Sequence, residues 1–114
     1  MKKTDYNLAV YCGARSGNDP LFTERARELG TLCARNNIGV VYGGGRTGLM
    51  GTVAGATLDA GGVVYGVVTH KLVGLEGVYP GQTTLDIVDT MHQRKIAMIE
   101  KADAFVAMPG GPGT

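Results

Sequence analysis

The sequence predicts an α/β fold in which a parallel sheet lies between two layers of helices. Apolar runs alternate with helix-like segments along the chain, and most of these runs are apolar at nearly every position. Strands buried on both faces and joined by helices are typical of a parallel sheet covered on both sides. Glycine-rich turns follow several of the runs, as in sheets that bind ligands at their edge. A length of 114 residues fits one domain, residues 1–114.

The first half of the chain alternates strands and helices. A proline at position 20 suits the first turn of a helix, and an apolar face of that helix follows with spacings of four, three and four. The residues on this face are Phe22, Ala26, Leu29 and Cys33. The predicted elements are a strand at Leu8–Cys12, a helix from Pro20 that ends at Asn36-Asn37, a strand at Ile38–Tyr42, a helix at about Gly48–Ala60 and a strand at Val63–Val68.

The second half begins with a long connection over residues 69–83, which has no clear period. A fourth strand is predicted at Leu85–Val88. Thr90 and Gln93 have the spacing of a capping box, which predicts a helix from there to about Lys101. The run Ala104–Met108 is the fifth predicted strand, and Met91, Met98 and Met108 are expected to fill the core.

Composition narrows the class of function. Eleven Lys and Arg against ten Asp and Glu give a formal charge of +1, which offers no support for a nucleic-acid or anionic-membrane partner. No apolar stretch has the length of a membrane span, and the start of the chain does not read as a signal peptide. Cys12 and Cys33 have no metal-ligand spacing, and we expect a reduced, cytosolic protein without a metal.

The turn at 43–48 fits the pattern GxGxxG between a strand and a helix. This pattern is compatible with an anion site, with a dinucleotide site, or with a turn that needs glycine only for packing. We favour anion binding. NAD is the least favoured ligand, because the next strand ends Val67-Val68-Thr69-His70-Lys71 without the carboxylate that would bind its ribose. A Walker A site is excluded, since no Lys-Ser/Thr pair follows the glycines.

Arg94 and Lys95 lie near the N-terminal, positive end of a helix dipole, where a cation lowers the stability of the helix. Met91, Arg94 and Met98 share a face, so Arg94 is predicted to point inward and to need an anionic partner. For Lys95, a solvated surface position is slightly favoured over a functional role. The turn Pro109–Thr114 follows a strand and predicts a phosphate site.

Three motifs together resemble the LOG ("lonely guy") family: the glycines of 43–51, the segment Met91-His92-Gln93-Arg94-Lys95, and Pro109-Gly110-Gly111-Pro112-Gly113-Thr114. The resemblance covers essentially the whole chain and implies a cytosolic, Rossmann-like, usually dimeric enzyme without a cofactor. Such enzymes hydrolyse the N-glycosidic bond of nucleoside 5′-monophosphates, AMP or cytokinin riboside 5′-monophosphates, to free base and ribose 5-phosphate. Many relatives carry the older name possible lysine decarboxylase.

The resemblance also assigns residues. It implies that Arg94 is the catalytic arginine, and that the substrate contacts Gly44, Gly45, Arg46, Thr47, Met91, Lys95, Gly110, Gly111, Gly113 and Thr114. The family motif is PGGxGTxxE, whose glutamate would be the third residue after Thr114. We therefore expect this chain to be the N-terminal portion of a longer domain, inactive alone. The alternative is a nucleotide-binding module without catalysis.

Overall fold

The described part of the chain contains five strands and three helices of eleven residues or more. The structure is a computed structural model, and it describes residues 4–11, 20–44, 48–71, 73 and 84–108. All the predicted helices and strands are present, with bounds that differ from the predictions by one or two residues. They are β1 (Tyr6–Tyr11), α1 (Pro20–Arg35), β2 (Ile38–Tyr42), α2 (Gly48–Asp59), β3 (Val64–Thr69), β4 (Thr84–Val88), α3 (Met91–Lys101) and β5 (Ala104–Ala107).

The five strands form one parallel sheet in the order β4-β3-β2-β1-β5. Leu8 of β1 pairs with Val40 of β2 on one side and with Ala104 of β5 on the other. The chain therefore adds strands in one direction as far as β4 and then crosses to the opposite side of β1. In open α/β sheets, ligands bind beyond the carboxyl ends of the strands at such a reversal.

Helices cover both faces of the sheet, which confirms the predicted three layers. On one face, strand residues such as Val40 and Tyr42 pack with Ala26 of α1 and Val53 of α2. On the other face, Met98 of α3 packs with the cluster of buried residues Ala9, Val41 and Val67. Because neighbouring residues of β2 enter different cores, the strand is apolar at consecutive positions, as the sequence indicated.

Helix α1 has the apolar face predicted for it. Ala26 and Cys33 are buried, and Phe22 and Leu29 are half-buried against the same core. Burial raises the pKa of the Cys33 thiol, which therefore behaves as a small apolar side chain. The helix ends where expected, since Asn37 has a left-handed φ of 55° that asparagine tolerates.

The capping box of α3 is confirmed. The Thr90 side chain accepts a hydrogen bond from the Gln93 amide at 3.1 Å, and Gln93 Oε1 accepts one from the Thr90 amide at 3.1 Å. Gln93 Oε1 also accepts one from the Asp89 amide at 2.9 Å. The box fixes where α3 starts, and therefore where Arg94 lies relative to the strand ends.

Replacing Thr90 by alanine should lower the free energy of unfolding by about 1 kcal/mol, because an N-terminal amide of α3 loses its acceptor. Urea unfolding of the full-length protein measures this change. Thr52→Ala is the matched control, since the Thr52 hydroxyl donates to Gly48 O of its own helix and its loss should be neutral or slightly stabilising. Equal effects of the two substitutions would contradict a capping role for Thr90.

Within the described residues, no helix is long and apolar enough to cross a membrane.

Candidate functional site

The candidate site lies at the carboxyl edge of the sheet, where β2 and β3 end beside the start of α3. Strand β2 continues into Gly43 and Gly44, and β3 ends at Thr69. Strand β4 is followed at once by the capping box that starts α3. The fold thus brings the glycine turn and the Met91–Lys95 segment together, although about fifty residues separate them in the sequence.

Arg94 points inward from α3, as predicted. Its side chain is half-buried, and its Nε donates a hydrogen bond to Val67 O at 2.9 Å. Its Nη2 donates one to Gly43 O at 2.9 Å. The guanidinium therefore spans the ends of two neighbouring strands, β2 and β3. Main-chain carbonyls thus satisfy part of its hydrogen-bonding capacity, and the anionic partner predicted for it stays a prediction.

Gly44 continues the same turn with a backbone that only glycine adopts readily. Its φ is +82°, in the left-handed region. An added Cβ would also overlap Cγ1 of Val68 and lie 3.7 Å from Cδ1 of Leu85. Glycine at this position is thus explained by backbone conformation and by close packing, and the turn presents main chain at the strand edge.

Met91 and Lys95, two neighbours of Arg94 on α3, are both exposed. Met91 is 48% exposed, so the prediction that it fills the core is wrong; it is the first residue of α3 and lies beyond the sheet face that the helix covers. Its Sδ is 3.9 Å from Nη1 of Arg94, which keeps it beside the candidate site. Met98 is buried and Met108 packs against the α1–α2 core, as predicted. Lys95 is exposed, and its predicted contact with substrate stays a prediction.

His70 and Asp89 form an exposed pair at the same edge of the sheet. His70 follows β3, Asp89 follows β4, and His70 Nε2 lies 3.2 Å from Asp89 Oδ1. The two side chains are 69% and 77% exposed. His70 is thus a surface residue that pairs with Asp89.

The other predicted substrate contacts fall outside the described residues, and their roles stay predictions. They are Gly45, Arg46, Thr47, Gly110, Gly111, Gly113 and Thr114. Cys12 is also outside them.

Two of the groups that hold Arg94 were not predicted from the sequence. Both are backbone carbonyls, of Gly43 and of Val67. Every residue has a backbone carbonyl, so the identity of Val67 did not indicate that it would bind Arg94. Gly43 did have one, because it is the first of three consecutive glycines after a strand.

Solved structures with a similar fold include the molybdenum cofactor carrier protein of Chlamydomonas reinhardtii. It matches with a TM-score of 0.79 at 20% identity, over 95% of this chain and 65% of that one. The molybdenum cofactor binding protein of Rippkaea orientalis matches with a TM-score of 0.78 at 21% identity, over 99% of this chain and 66% of the other. At such identities these likenesses establish the fold alone.

Sequence relatives are closer. A cytokinin riboside 5′-monophosphate phosphoribohydrolase of Rhodococcoides fascians is 44% identical over 114 residues, which is 99% of this chain and 58% of the relative. The Arabidopsis thaliana enzyme of the same name, LOG1, is 42% identical over 109 residues, covering 94% and 50%. The chain thus spans about half the length of these relatives. The family model described as possible lysine decarboxylase matches residues 50–114. These matches confirm the resemblance: the chain belongs to the LOG family, also described as possible lysine decarboxylase.

Proposed function

We propose that the full-length protein hydrolyses the N-glycosidic bond of nucleoside 5′-monophosphates to free base and ribose 5-phosphate. The observation that carries the proposal is Arg94, a half-buried cation fixed over the ends of β2 and β3 at the edge where α/β sheets bind ligands. The names of relatives at 42% and 44% identity support this reaction over binding without catalysis.

The order of the strands suits the length of a nucleotide. The chain leaves β5 at Met108, whose amide donates to Tyr11 O of β1 at 2.7 Å, and the proposed phosphate turn follows. Strand β2, which leads to Gly43, lies two strands away from β5. Two spacings of about 4.8 Å separate these strand ends by about 10 Å. We therefore assign the 5′-phosphate to Gly110, Gly111, Gly113 and Thr114, and the ribose and base to the edge near Arg94.

The charge of Arg94 limits its chemical role. Cleavage of the bond gives the ribose oxocarbenium character, which a nearby cation would oppose, while the departing base gains electrons. A guanidinium donor is therefore suited to the departing base, where it stabilises the charge that develops in the transition state. The water would be activated by the glutamate that the family motif implies, as a general base.

We further propose that the enzyme is a cytosolic homodimer that needs no cofactor. Exposed apolar side chains on α3 support self-association, since Ile96 is 42% and Ile99 is 55% exposed. The buried free thiol of Cys33 suits a reducing compartment. Light scattering coupled to gel filtration of the full-length protein should give twice the monomer mass, and a monomer would contradict the dimer.

Substrate class is tested with a panel. The full-length enzyme is incubated with AMP, isopentenyladenosine 5′-monophosphate, other nucleoside monophosphates and adenosine, and the free base is quantified by chromatography. We expect base release from monophosphates and at least about 10²-fold less from adenosine, because adenosine cannot use the phosphate turn. Equal turnover of AMP and adenosine would refute the phosphate assignment.

NAD should bind weakly or not at all, because the end of β3 offers no carboxylate for its ribose. Isothermal titration calorimetry of the full-length protein measures this. Micromolar affinity for NAD would favour the dinucleotide site over the proposed one.

A further inference from the structure

The Nε and Nη2 donors of Arg94 are held by two carbonyls that belong to different strand ends. Nε and Nη2 both lie within 2.9 Å of an acceptor, Val67 O and Gly43 O respectively. Because the guanidinium is planar and rigid, two bonds of this kind fix its plane and the direction in which Nη1 points. The orientation of Arg94 therefore depends on how closely it can approach Gly43.

Gly43 has no room for a side chain on the side of Arg94. An added Cβ would overlap Nη2 of Arg94 and would lie 3.0 Å from its Cζ, with Met50 Sδ at 3.6 Å. The backbone itself does not demand glycine here, since the described glycines with positive φ are Gly44, Gly48 and Gly61. The need for glycine at position 43 is thus steric, and it comes from Arg94.

The atoms that an alanine would meet belong to the far end of a long, flexible side chain. Arg94 can swing away without moving the backbone or the core, at the cost of its two hydrogen bonds, whereas at Gly44 an alanine would be strained by the φ of +82° in any case. A methyl group at position 43 should therefore leave the protein folded and displace the guanidinium. We infer that Gly43 is a positioning residue, whose carbonyl and missing side chain together set the place of Arg94 in the reaction.

This inference rests on the proposed function, so its test has a readout that does not need turnover. In the full-length protein, the Nε–H signal of Arg94 is identified in ¹⁵N-resolved spectra by its absence from Arg94→Lys. We expect Gly43→Ala to shift or broaden that signal, because the hydrogen bond from Nε to Val67 O is lost when the guanidinium moves. A signal that is unchanged in position and width would overturn the inference, whether or not the wild type is active.

The kinetic test separates positioning from binding. For AMP, Gly43→Ala should lower kcat about 10²-fold, the effect expected of a displacement of about 1 Å, and should leave KM within a few-fold of the wild-type value. An unchanged kcat in an enzyme whose wild type is active would also overturn the inference. A wild type that releases no base would instead refute the proposed function, while the spectroscopic result still decides the role of Gly43.

A double-mutant cycle on thermal stability tests whether the effect of the alanine acts through Arg94. Gly43→Ala should lower the Tm in the wild-type background and leave it unchanged or raised in the Arg94→Ala background, where the guanidinium is gone. The same loss of Tm in both backgrounds would mean that the alanine disturbs something other than Arg94, and would contradict the proposed role.

Discussion

Replacing Arg94 by alanine should reduce kcat for release of adenine from AMP by at least about 10²–10³-fold, the usual effect of removing one fixed donor to developing charge. The protein should still fold, because α3 keeps its capping box and the packing of Met98. Its free energy of unfolding should fall by about 1–3 kcal/mol, since the carbonyls of Gly43 and Val67 lose a donor. Steady-state kinetics and urea unfolding of the full-length protein measure the two effects.

Two further variants make the result interpretable. Arg94→Lys keeps the charge but cannot span both carbonyls, so its kcat should lie closer to that of alanine than to the wild type. Arg27→Ala removes an exposed arginine from α1 and should leave kcat unchanged. If Arg94→Ala turned over AMP at the wild-type rate, the assignment of Arg94 to the reaction would be wrong.

Gly30→Val should strongly destabilise the contact between α1 and α2, costing about 3 kcal/mol of unfolding free energy. An added Cβ at Gly30 would lie 2.5 Å from Val53 O, 2.9 Å from Thr57 Oγ1 and 3.0 Å from Ala56 Cβ, all on α2. These are backbone or short side-chain atoms that cannot move aside alone. The better helix propensity of a residue other than glycine recovers less than about 1 kcal/mol of this cost.

Thermal unfolding of the full-length protein measures this effect, which should appear as a Tm lower by about 6–12 °C for a protein of the relatives' size. Arg27→Val introduces the same side chain at an exposed position of the same helix and should cost about 0.5 kcal/mol. Similar losses for the two variants would mean that the contact between α1 and α2 at Gly30 does not limit stability.

The order of helices and strands could be read from the sequence because each element has a local signal. Consecutive apolar residues in β2 reflect two buried faces, and Thr90 with Gln93 marks the start of α3. The strand order had no such signal, since pairing of β1 with β5 joins residues about a hundred positions apart. The exposure of Met91 was missed because helical spacing gives a face but not where along the helix the sheet ends.

The site was predictable in part for the same reason. Arg94 was found because a cation at the start of a helix and on an apolar face has no local explanation. The acceptors of Nε and Nη2 could not be predicted, because they are backbone carbonyls of residues that are distant in sequence. The absence of a side chain at Gly43 matters only once Arg94 is seen against it.

Analysis of the products formed from AMP shows which bond the enzyme cleaves and whether Arg94 takes part. The full-length enzyme is incubated with AMP, and adenine, adenosine, phosphate and ribose 5-phosphate are quantified in the same reaction, with Arg94→Ala run in parallel. We expect adenine and ribose 5-phosphate in equal amounts, at a rate that falls at least about 10²-fold in the variant. Adenosine with phosphate, or adenine released equally fast by Arg94→Ala, would contradict it.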